Sequence, residues 1–129
     1  MNIIDENIVD NQRQQLKSWR ISVRQIGFEV GRKGMKDKEI IPLLHQLNQP
    51  TFFTRDDDFY ERKLCHAGYC LVFLDVRKGE VATFVRRVLR HKMFNTKAKR
   101  MGRVIRVSQI GLAVWEPHSS RENYIEWES

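Results

Sequence analysis

Two short apolar runs of this chain end abruptly in carboxylates. Thr51–Thr54 is followed, after a single arginine, by the three consecutive acids Asp56–Asp58, and Met1–Ile4 leads straight into Asp5 and Glu6. In open α/β sheets, ligands bind in the crevice outside the carboxyl ends of the strands. Two strand ends that both deliver acids therefore predict one shared metal site at that edge of a sheet.

Four acids are the candidate metal ligands and catalytic residues, because the expected fold gathers them: Asp5, Asp37, Asp56 and Asp58. Carboxylates that cluster raise one another's pKa unless a cation is present, and such hard oxygen ligands suit Mg²⁺ or Mn²⁺. One or two of these ions can polarise a phosphoryl oxygen and supply a hydroxide at neutral pH. Each acid also has a simpler interpretation, since Asp37 is well placed as a helix N-cap and Asp5 and Glu6 can cap a turn.

The elements that must position these acids alternate between strand and helix. Strands are predicted from the N-terminus to about residue 5 and at Phe28–Val30, Thr51–Thr54 and Cys70–Leu74. Helices are predicted at Val9–Trp19, at Lys38–Leu47 behind Asp37, at Tyr60–Ala67, and along the apolar stripe from Val81 to Leu89. This alternation predicts an α/β fold with a mainly parallel sheet and helices on both of its faces.

The C-terminal part of the chain follows a different pattern. Arg103–Ser108 and Leu112–Glu116 are β-rich runs around a turn, and they predict a β-hairpin. The tail after Pro117 is polar, and we expect it to be loosely held, although Tyr124 and Trp127 could pack back onto the protein. With 129 residues, the chain is expected to form a single domain, with an α/β core at residues 1–92 and a basic linker, hairpin and tail at residues 93–129.

The charge of the chain is concentrated in one stretch. The formal net charge is +7, and residues 77–106 contain eleven lysines and arginines against one acid, Glu80. A basic face favours a polyanionic partner through counterion release; the alternatives are a solvated basic helix or a dock for an acidic protein. The candidate nucleic-acid contacts are seven cations: Arg55, Arg86, Arg87, Arg90, Lys97, Lys99 and Arg100. Arg55 could contact a phosphate or form a salt bridge with a neighbouring aspartate.

The remaining composition is typical of a soluble globular protein of the cytoplasm. Hydrophobic residues make up 41% and charged residues 30% of the chain. Two cysteines, Cys65 and Cys70, fit a reducing compartment. The N-terminus lacks the pattern of a signal peptide, and no apolar run approaches the length of a membrane span.

Four motifs together resemble the small PIN-like domains, which are predicted nucleases often found as the toxin of bacterial toxin–antitoxin pairs. The motifs are Asp5-Glu6-Asn7, Gly27-Phe28-Glu29-Val30, Lys36-Asp37-Lys38-Glu39-Ile40 and Thr54-Arg55-Asp56-Asp57-Asp58-Phe59. The resemblance covers about residues 1–90. It implies a three-layer α/β/α fold and metal-assisted hydrolysis of phosphodiesters in single-stranded RNA.

The resemblance also implies roles for individual acids. Asp5, Asp56 and Asp58 would bind a divalent ion directly or through water, and Asp37 matches the fourth acid, with Glu39 as an alternative. Asp57 departs from the family pattern, in which this position is more often basic or neutral, and it is an extra candidate ligand. An antitoxin would be a partner, and either that protein or a second copy of the chain could add to the edge strand of the hairpin.

Two other functions are open on the sequence alone. The same scaffold could be a non-catalytic nucleic-acid-binding or regulatory module, in which the basic stretch binds and the acids are structural. A phosphatase or receiver-type domain would also place acids at strand ends, although neither the residues after Asp58 nor the sequence Leu74-Asp75-Val76 fits those families.

Overall fold

One seven-stranded sheet organises residues 1–127, the part of the chain that the computed structural model describes. Its spatial order is β2-β1-β3-β4-β5-β6-β7. The strands are β1 Asn2–Ile4, β2 Arg24–Gln25, β3 Thr51–Thr54, β4 Cys70–Leu74, β5 Val104–Val107, β6 Gly111–Trp115 and β7 Asn123–Glu126. The first five strands in this order run parallel, and β6 and β7 add to them in antiparallel fashion. The expected α/β class and mainly parallel sheet are confirmed.

Helices connect the parallel strands. The α-helices are α1 Asp10–Ser18, α2 Asp37–Gln46, α3 Val81–Arg90 and α4 Lys97–Arg100, and short 3₁₀ helices form at Asp57–Phe59, Arg62–Leu64 and Lys78–Glu80. No helix within residues 1–127 is both long and apolar enough to cross a membrane.

Alternate residues of the central strands belong to two separate hydrophobic cores, one on each face of the sheet. One core combines α2 with one set of strand residues: Ile3, Phe52, Leu71, Val104, Ile40 and Leu44. The other combines α1 and α3 with the alternate set: Ile4, Phe53, Val72, Ile105, Leu16, Val85 and Val88. Because successive side chains of a strand point to opposite faces, helices cover both faces. The continuous apolar character of Cys70–Leu74 follows from this double burial.

Two local predictions are wrong. The second strand is Arg24–Gln25 rather than Phe28–Val30, because Gly27 adopts a φ of 88° and turns the chain away from the sheet. Residues 27–29 form a turn, and Val30 after it makes an isolated bridge to Ile26. Tyr60–Ala67 is not an α-helix, because the extended backbone at Glu61 separates two single-turn 3₁₀ helices.

The tail is the third correction. Residues Asn123–Glu126 form β7 against β6 instead of a loose tail. The alternative that Trp127 packs back is confirmed, since Trp127 contacts the core and its indole N–H donates to the Ser108 carbonyl at 2.7 Å, whereas Tyr124 is 76% exposed. The predicted hairpin exists as β5 and β6, but β4 flanks one side of it and β7 the other. Neither strand of the hairpin is therefore an edge strand; the two edge strands of the sheet are β2 and β7.

Candidate metal centre

The strand order reverses direction between β1 and β3. The chain passes from β1 to β2 on one side and then crosses back to β3 on the other, so α1 and α2 leave this point toward opposite faces. Ile4 pairs with Phe53 in register, which places Asp5 beside Thr54 at the carboxyl edge. Such a switch point is where open α/β sheets leave a crevice for ligands.

Three aspartates meet at this point. Asp37, Asp56 and Asp58 each offer a carboxylate oxygen, and these oxygens all lie within 4.8 Å of one another. Asp56 is half-buried, whereas Asp37 and Asp58 are exposed. The backbone N–H of Asp58 donates to Asp56 Oδ1 at 2.9 Å, which folds the two residues into one turn. Asp37 is the first residue of α2 rather than its N-cap, a position taken by Lys36, so the N-cap interpretation of Asp37 is wrong.

Asp5 lies next to this cluster and is held inside the protein. Its side chain is 8% exposed. Oδ2 accepts a hydrogen bond from Thr54 Oγ1 at 2.6 Å, and Oδ1 accepts one from the backbone N–H of Glu6 at 2.7 Å. Burial raises the pKa of Asp5, the two hydrogen bonds oppose this, and the nearby charge of Asp56 adds to it.

The carboxylates of the cluster repel one another. The pKa of Asp37 is raised, first by partial burial and then by the charge of Asp56 and a hydrogen bond with it; Asp58 and Asp5 add smaller effects. A bound divalent cation would offset this repulsion and stabilise the ionised carboxylates. An all-oxygen donor set fits Mg²⁺ or Mn²⁺ rather than a softer metal.

Other acids near the site have different partners. Glu39 accepts the backbone N–H of Lys36 at 3.2 Å and forms an ion pair with Arg32, so it caps α2 instead of replacing Asp37. Glu6 accepts the backbone N–H of Gly34 at 2.8 Å. Asp57 is exposed and does not belong to the three-oxygen group found among residues 1–127.

Two residues that position the acids were not identified from the sequence. Thr54 is fully buried, and its hydroxyl donates to Asp5 while it accepts the backbone N–H of Asp56 at 3.0 Å. Gln25 is 2% exposed, and its side-chain amide donates to the backbone carbonyls of Asp5, Glu6 and Ile8. The hydroxyl of Thr54 beside the acids was a usable signal, whereas nothing local in the sequence marks Gln25.

A crevice of about 280 Å³ opens beside the acids and is lined by Asp5, Asn7, Ile8, Arg55 and Asp56. Arg55 Nε donates to the Val76 carbonyl at 3.1 Å, which fixes the base of its guanidinium group at this edge. This anchor is a backbone carbonyl rather than the neighbouring aspartate that the sequence left open. Arg55 is thus the predicted cation that the structure places beside the acids.

Several cations of the basic stretch lie at the opposite side of the sheet, where the parallel strands begin. Arg100 Nε donates to the hydroxyl of Thr51, the first residue of β3. The pKa of the Met1 amino group is lowered by burial and by the positive charges of Lys97 and Arg100, so both cations lie near the start of β1. Arg90 ends α3, which returns the chain from the carboxyl end of β4 to this amino edge. The four residues of β3 alone separate the edges by about 13 Å.

Arg100 is a correction to the predicted nucleic-acid contacts. Its side chain is 7% exposed, with Nη1 donating to the Phe94 carbonyl at 2.8 Å, so it braces α4 against β3. Lys97 and Lys99 are exposed, and Lys99 Nζ donates to the Lys92 carbonyl at 2.8 Å.

Two arginines of α3 stack on tryptophans. The Arg86 guanidinium lies 3.6 Å from the ring centre of Trp19, and that of Arg87 lies 4.0 Å from the ring centre of Trp127. Together with Arg90 they line a cleft of about 430 Å³. Stacked guanidinium groups retain their outward N–H donors and are held in fixed positions.

Comparisons with protein-family models, with curated proteins and with solved structures find no match for this chain. The resemblance to PIN-like domains therefore depends on the sequence motifs alone.

Proposed function

We propose that this protein is a metal-dependent ribonuclease that hydrolyses phosphodiester bonds of single-stranded RNA, on a three-layer α/β/α scaffold of the PIN-like kind. The observation that carries the proposal is the convergence of Asp37, Asp56 and Asp58, from two separate chain segments, within 4.8 Å at the switch point of the sheet. Without a cation the mutual repulsion of the three carboxylates opposes this convergence, and a bound divalent ion would offset it.

The residues divide the work between holding an ion and placing the substrate. Asp37, Asp56 and Asp58 would hold Mg²⁺ or Mn²⁺, which when bound polarises a phosphoryl oxygen and offsets the charge that develops there. Asp5, tied to Thr54, lines the adjoining crevice together with Asp56, which also belongs to the acid cluster. Arg55, on the crevice wall, is placed to donate to the phosphate under attack and to orient it.

A role as the toxin of a toxin–antitoxin pair belongs to this proposal. A partner that neutralised the enzyme could add a strand to β7, which is the exposed edge of the antiparallel end of the sheet. A second copy of the chain could use the same edge. Light scattering at high concentration distinguishes these two cases, because a monomeric mass counts against the homodimer.

The test is cleavage of an end-labelled single-stranded RNA in Mn²⁺, in Mg²⁺ and in EDTA. Asp56→Asn keeps the size of the side chain and removes a ligand charge, so it should abolish cleavage. Asp57→Asn is the matched control, because Asp57 is adjacent and exposed but lies outside the acid cluster. Cleavage that persists in EDTA, or equal activity of Asp56→Asn and wild type, would refute the proposal.

A second candidate is a non-catalytic nucleic-acid-binding module. One observation favours it: the arginines stacked on Trp19 and Trp127 form a basic surface on α3, whose C-terminal end lies at the amino edge, away from the acids. Salt-sensitive RNA binding with no turnover in either metal, by a protein shown to be folded, would select this function over the nuclease.

A further inference from the structure

The loop between β2 and α2 lies against the acid site at both of its ends. Gln25, just before the loop, holds the carbonyls of the residues that follow β1, and Asp37, just after it, belongs to the acid cluster. In the middle, the backbone N–H of Gly34 donates to Glu6 Oε1 at 2.8 Å. Residues 26–36, named here the Gly-Phe loop, are therefore fixed beside the crevice.

This loop presents an aromatic ring to solvent. Phe28 is 57% exposed, although its backbone N–H donates to the Gln25 carbonyl at 3.1 Å and holds the turn in place. The Arg13 guanidinium and the Lys33 ammonium each lie 5.5 Å from the centre of the Phe28 ring. The Phe28 ring is therefore a solvent-accessible aromatic surface, flanked by two cations, on a turn whose backbone is hydrogen-bonded.

The charge of the loop favours a polyanion. Its acid Glu29 forms an ion pair with Arg13 and also accepts the backbone N–H of Gln25 at 2.9 Å. Glu39, just beyond the loop, pairs with Arg32. Within residues 26–36, Arg32, Lys33 and Lys36 outnumber the single acid Glu29, and both lysines are exposed. The carboxylates of Glu6, which accepts the Gly34 N–H, and of Asp37 flank this cationic segment.

We propose that Phe28 is a stacking platform for a base of single-stranded RNA, and that Lys33 and Lys36 contact the phosphates on either side of it. An unstacked base has an apolar face that an aromatic ring can cover, and it carries phosphates that nearby lysines can neutralise. The platform would hold a nucleotide next to the one in the crevice. This inference builds on the proposed function and names the residues that position its substrate.

Duplex RNA does not suit this surface. The bases of a duplex are paired and stacked on one another, so their faces are unavailable to a protein ring. The surface also has no need of a particular base, because every base has a face to stack. The platform therefore selects strandedness and not sequence.

The test measures binding, so that its outcome does not depend on cleavage. A fluorescently labelled twelve-nucleotide oligouridylate is titrated with protein in the Asp56→Asn background, and anisotropy gives the affinity. Phe28→Ala should weaken binding by roughly 5- to 100-fold, as expected for one lost base stack, and Phe28→Tyr should retain it. Tyr124→Ala is the matched control, since Tyr124 is 76% exposed but lies on the distant strand β7.

Inorganic polyphosphate is the second probe, because it carries the charge of RNA without bases. Phe28→Ala should leave polyphosphate binding unchanged, whereas Lys33→Ala with Lys36→Ala should weaken both probes. The inference fails if Phe28→Ala binds the oligouridylate as tightly as its parent, as it would if Phe28 contacted another protein. It fails equally if the loss is the same for polyphosphate, or if duplex RNA binds as tightly as single-stranded RNA.

Discussion

Thr54 Oγ1 donates a hydrogen bond of 2.6 Å to Asp5 Oδ2, and the same oxygen accepts the backbone N–H of Asp56 at 3.0 Å. One buried hydroxyl thus joins the end of β1 to the acidic turn after β3. Asp5 and Thr54 are 49 residues apart in sequence, so two distant acid-bearing segments are held in one geometry by a side chain with no charge of its own.

Replacing Thr54 by Val should damage both stability and the metal site. Asp5, already buried, would lose a donor, which costs about 1–3 kcal/mol in the free energy of unfolding. Loss of a residue that orients ligands lowers metal affinity by about 10- to 100-fold in comparable sites. Urea denaturation and titration with Mn²⁺ measure the two effects.

Two controls separate the hydroxyl from the change in shape. Thr54→Ser keeps the donor and should retain most of the Mn²⁺ affinity. Thr83→Val removes a hydroxyl from the exposed face of α3 and should change neither quantity measurably. Wild-type Mn²⁺ affinity in Thr54→Val would show that the Thr54 bridge does not position the acids.

The stabilisation that Asp37 and Asp5 contribute to the metal-free protein should fall as the pH rises above the ordinary range of aspartate. The pKa of Asp37 is raised above its usual 3.8, chiefly by partial burial and by the charge of Asp56, and that of Asp5 is raised mainly by burial. The folded state therefore holds these protons more tightly than the unfolded state, and the stabilisation is fully present below pH 3.8 and is lost as the pH rises through the raised values.

Asp37→Asn should remove part of this dependence. In EDTA at pH 7 the variant should be more stable than wild type, since an ionised carboxylate no longer faces Asp56, whereas Asp57→Asn should behave as wild type. Mg²⁺ at ten times its dissociation constant should stabilise wild type by about 1.4 kcal/mol and Asp37→Asn by less. Denaturant titrations between pH 4 and 7.5 measure this, and equal Mg²⁺ stabilisation of the two proteins would remove Asp37 from the site.

The sequence predicted that Asp37, Asp56 and Asp58 would meet because the rule behind the prediction is topological; Asp5, the fourth predicted acid, lies beside this group and outside it. Parallel strands place their carboxyl ends at one edge, so Asp5 and Asp56 had to share it once the alternation of strand and helix was recognised. Asp37 followed from the start of an amphipathic helix and from the PIN-like motifs. Neither inference required the exact bounds of any strand.

The sequence-based predictions were wrong where contacts between distant parts of the chain decide the structure. The tail looks loose in sequence because only Ile125 and Trp127 face the core, and their partners belong to a sheet that the local pattern does not contain. Arg100 cannot be told from Lys97 and Lys99 by composition, because its burial depends on Thr51 and on the Phe94 carbonyl. The role of Gln25 is equally hidden in the sequence, because its amide donates to three backbone carbonyls that follow β1, about 20 residues earlier in the chain.

Arg100 should matter for folding and not for RNA. Arg100→Met keeps the length of the side chain but removes the donors to Thr51 and Phe94, and a lost hydrogen bond of a buried charged group costs about 1.5–3 kcal/mol. Lys99→Met, on the exposed side of α4, should stay within about 0.5 kcal/mol of wild type. Urea denaturation gives the stabilities, and anisotropy below the transition gives the RNA affinity. A folded Arg100→Met that bound RNA tenfold more weakly would return this arginine to the binding surface.

The arginines of α3 should act only on RNA that is long enough to reach them. Because their helix leads away from the acids to the other side of the sheet, a trinucleotide bound at the acid cluster, which spans about 10 Å, should be cleaved at the same rate by wild type and by the triple variant Arg86→Gln, Arg87→Gln, Arg90→Gln. Glutamine preserves much of the side-chain stem that packs on Trp19 and Trp127, so the fold should survive. With a thirty-nucleotide RNA, the triple variant should bind more weakly, and the slope of log affinity against log salt should fall by about 2, since each phosphate that is no longer neutralised lowers it by about 0.7.

Arg55→Gln is the counterpart at the crevice and should slow cleavage of both lengths. If the triple variant slowed cleavage of the trinucleotide as much as that of the longer RNA, the acids and the arginines would belong to one binding path, and their separation would have no functional meaning.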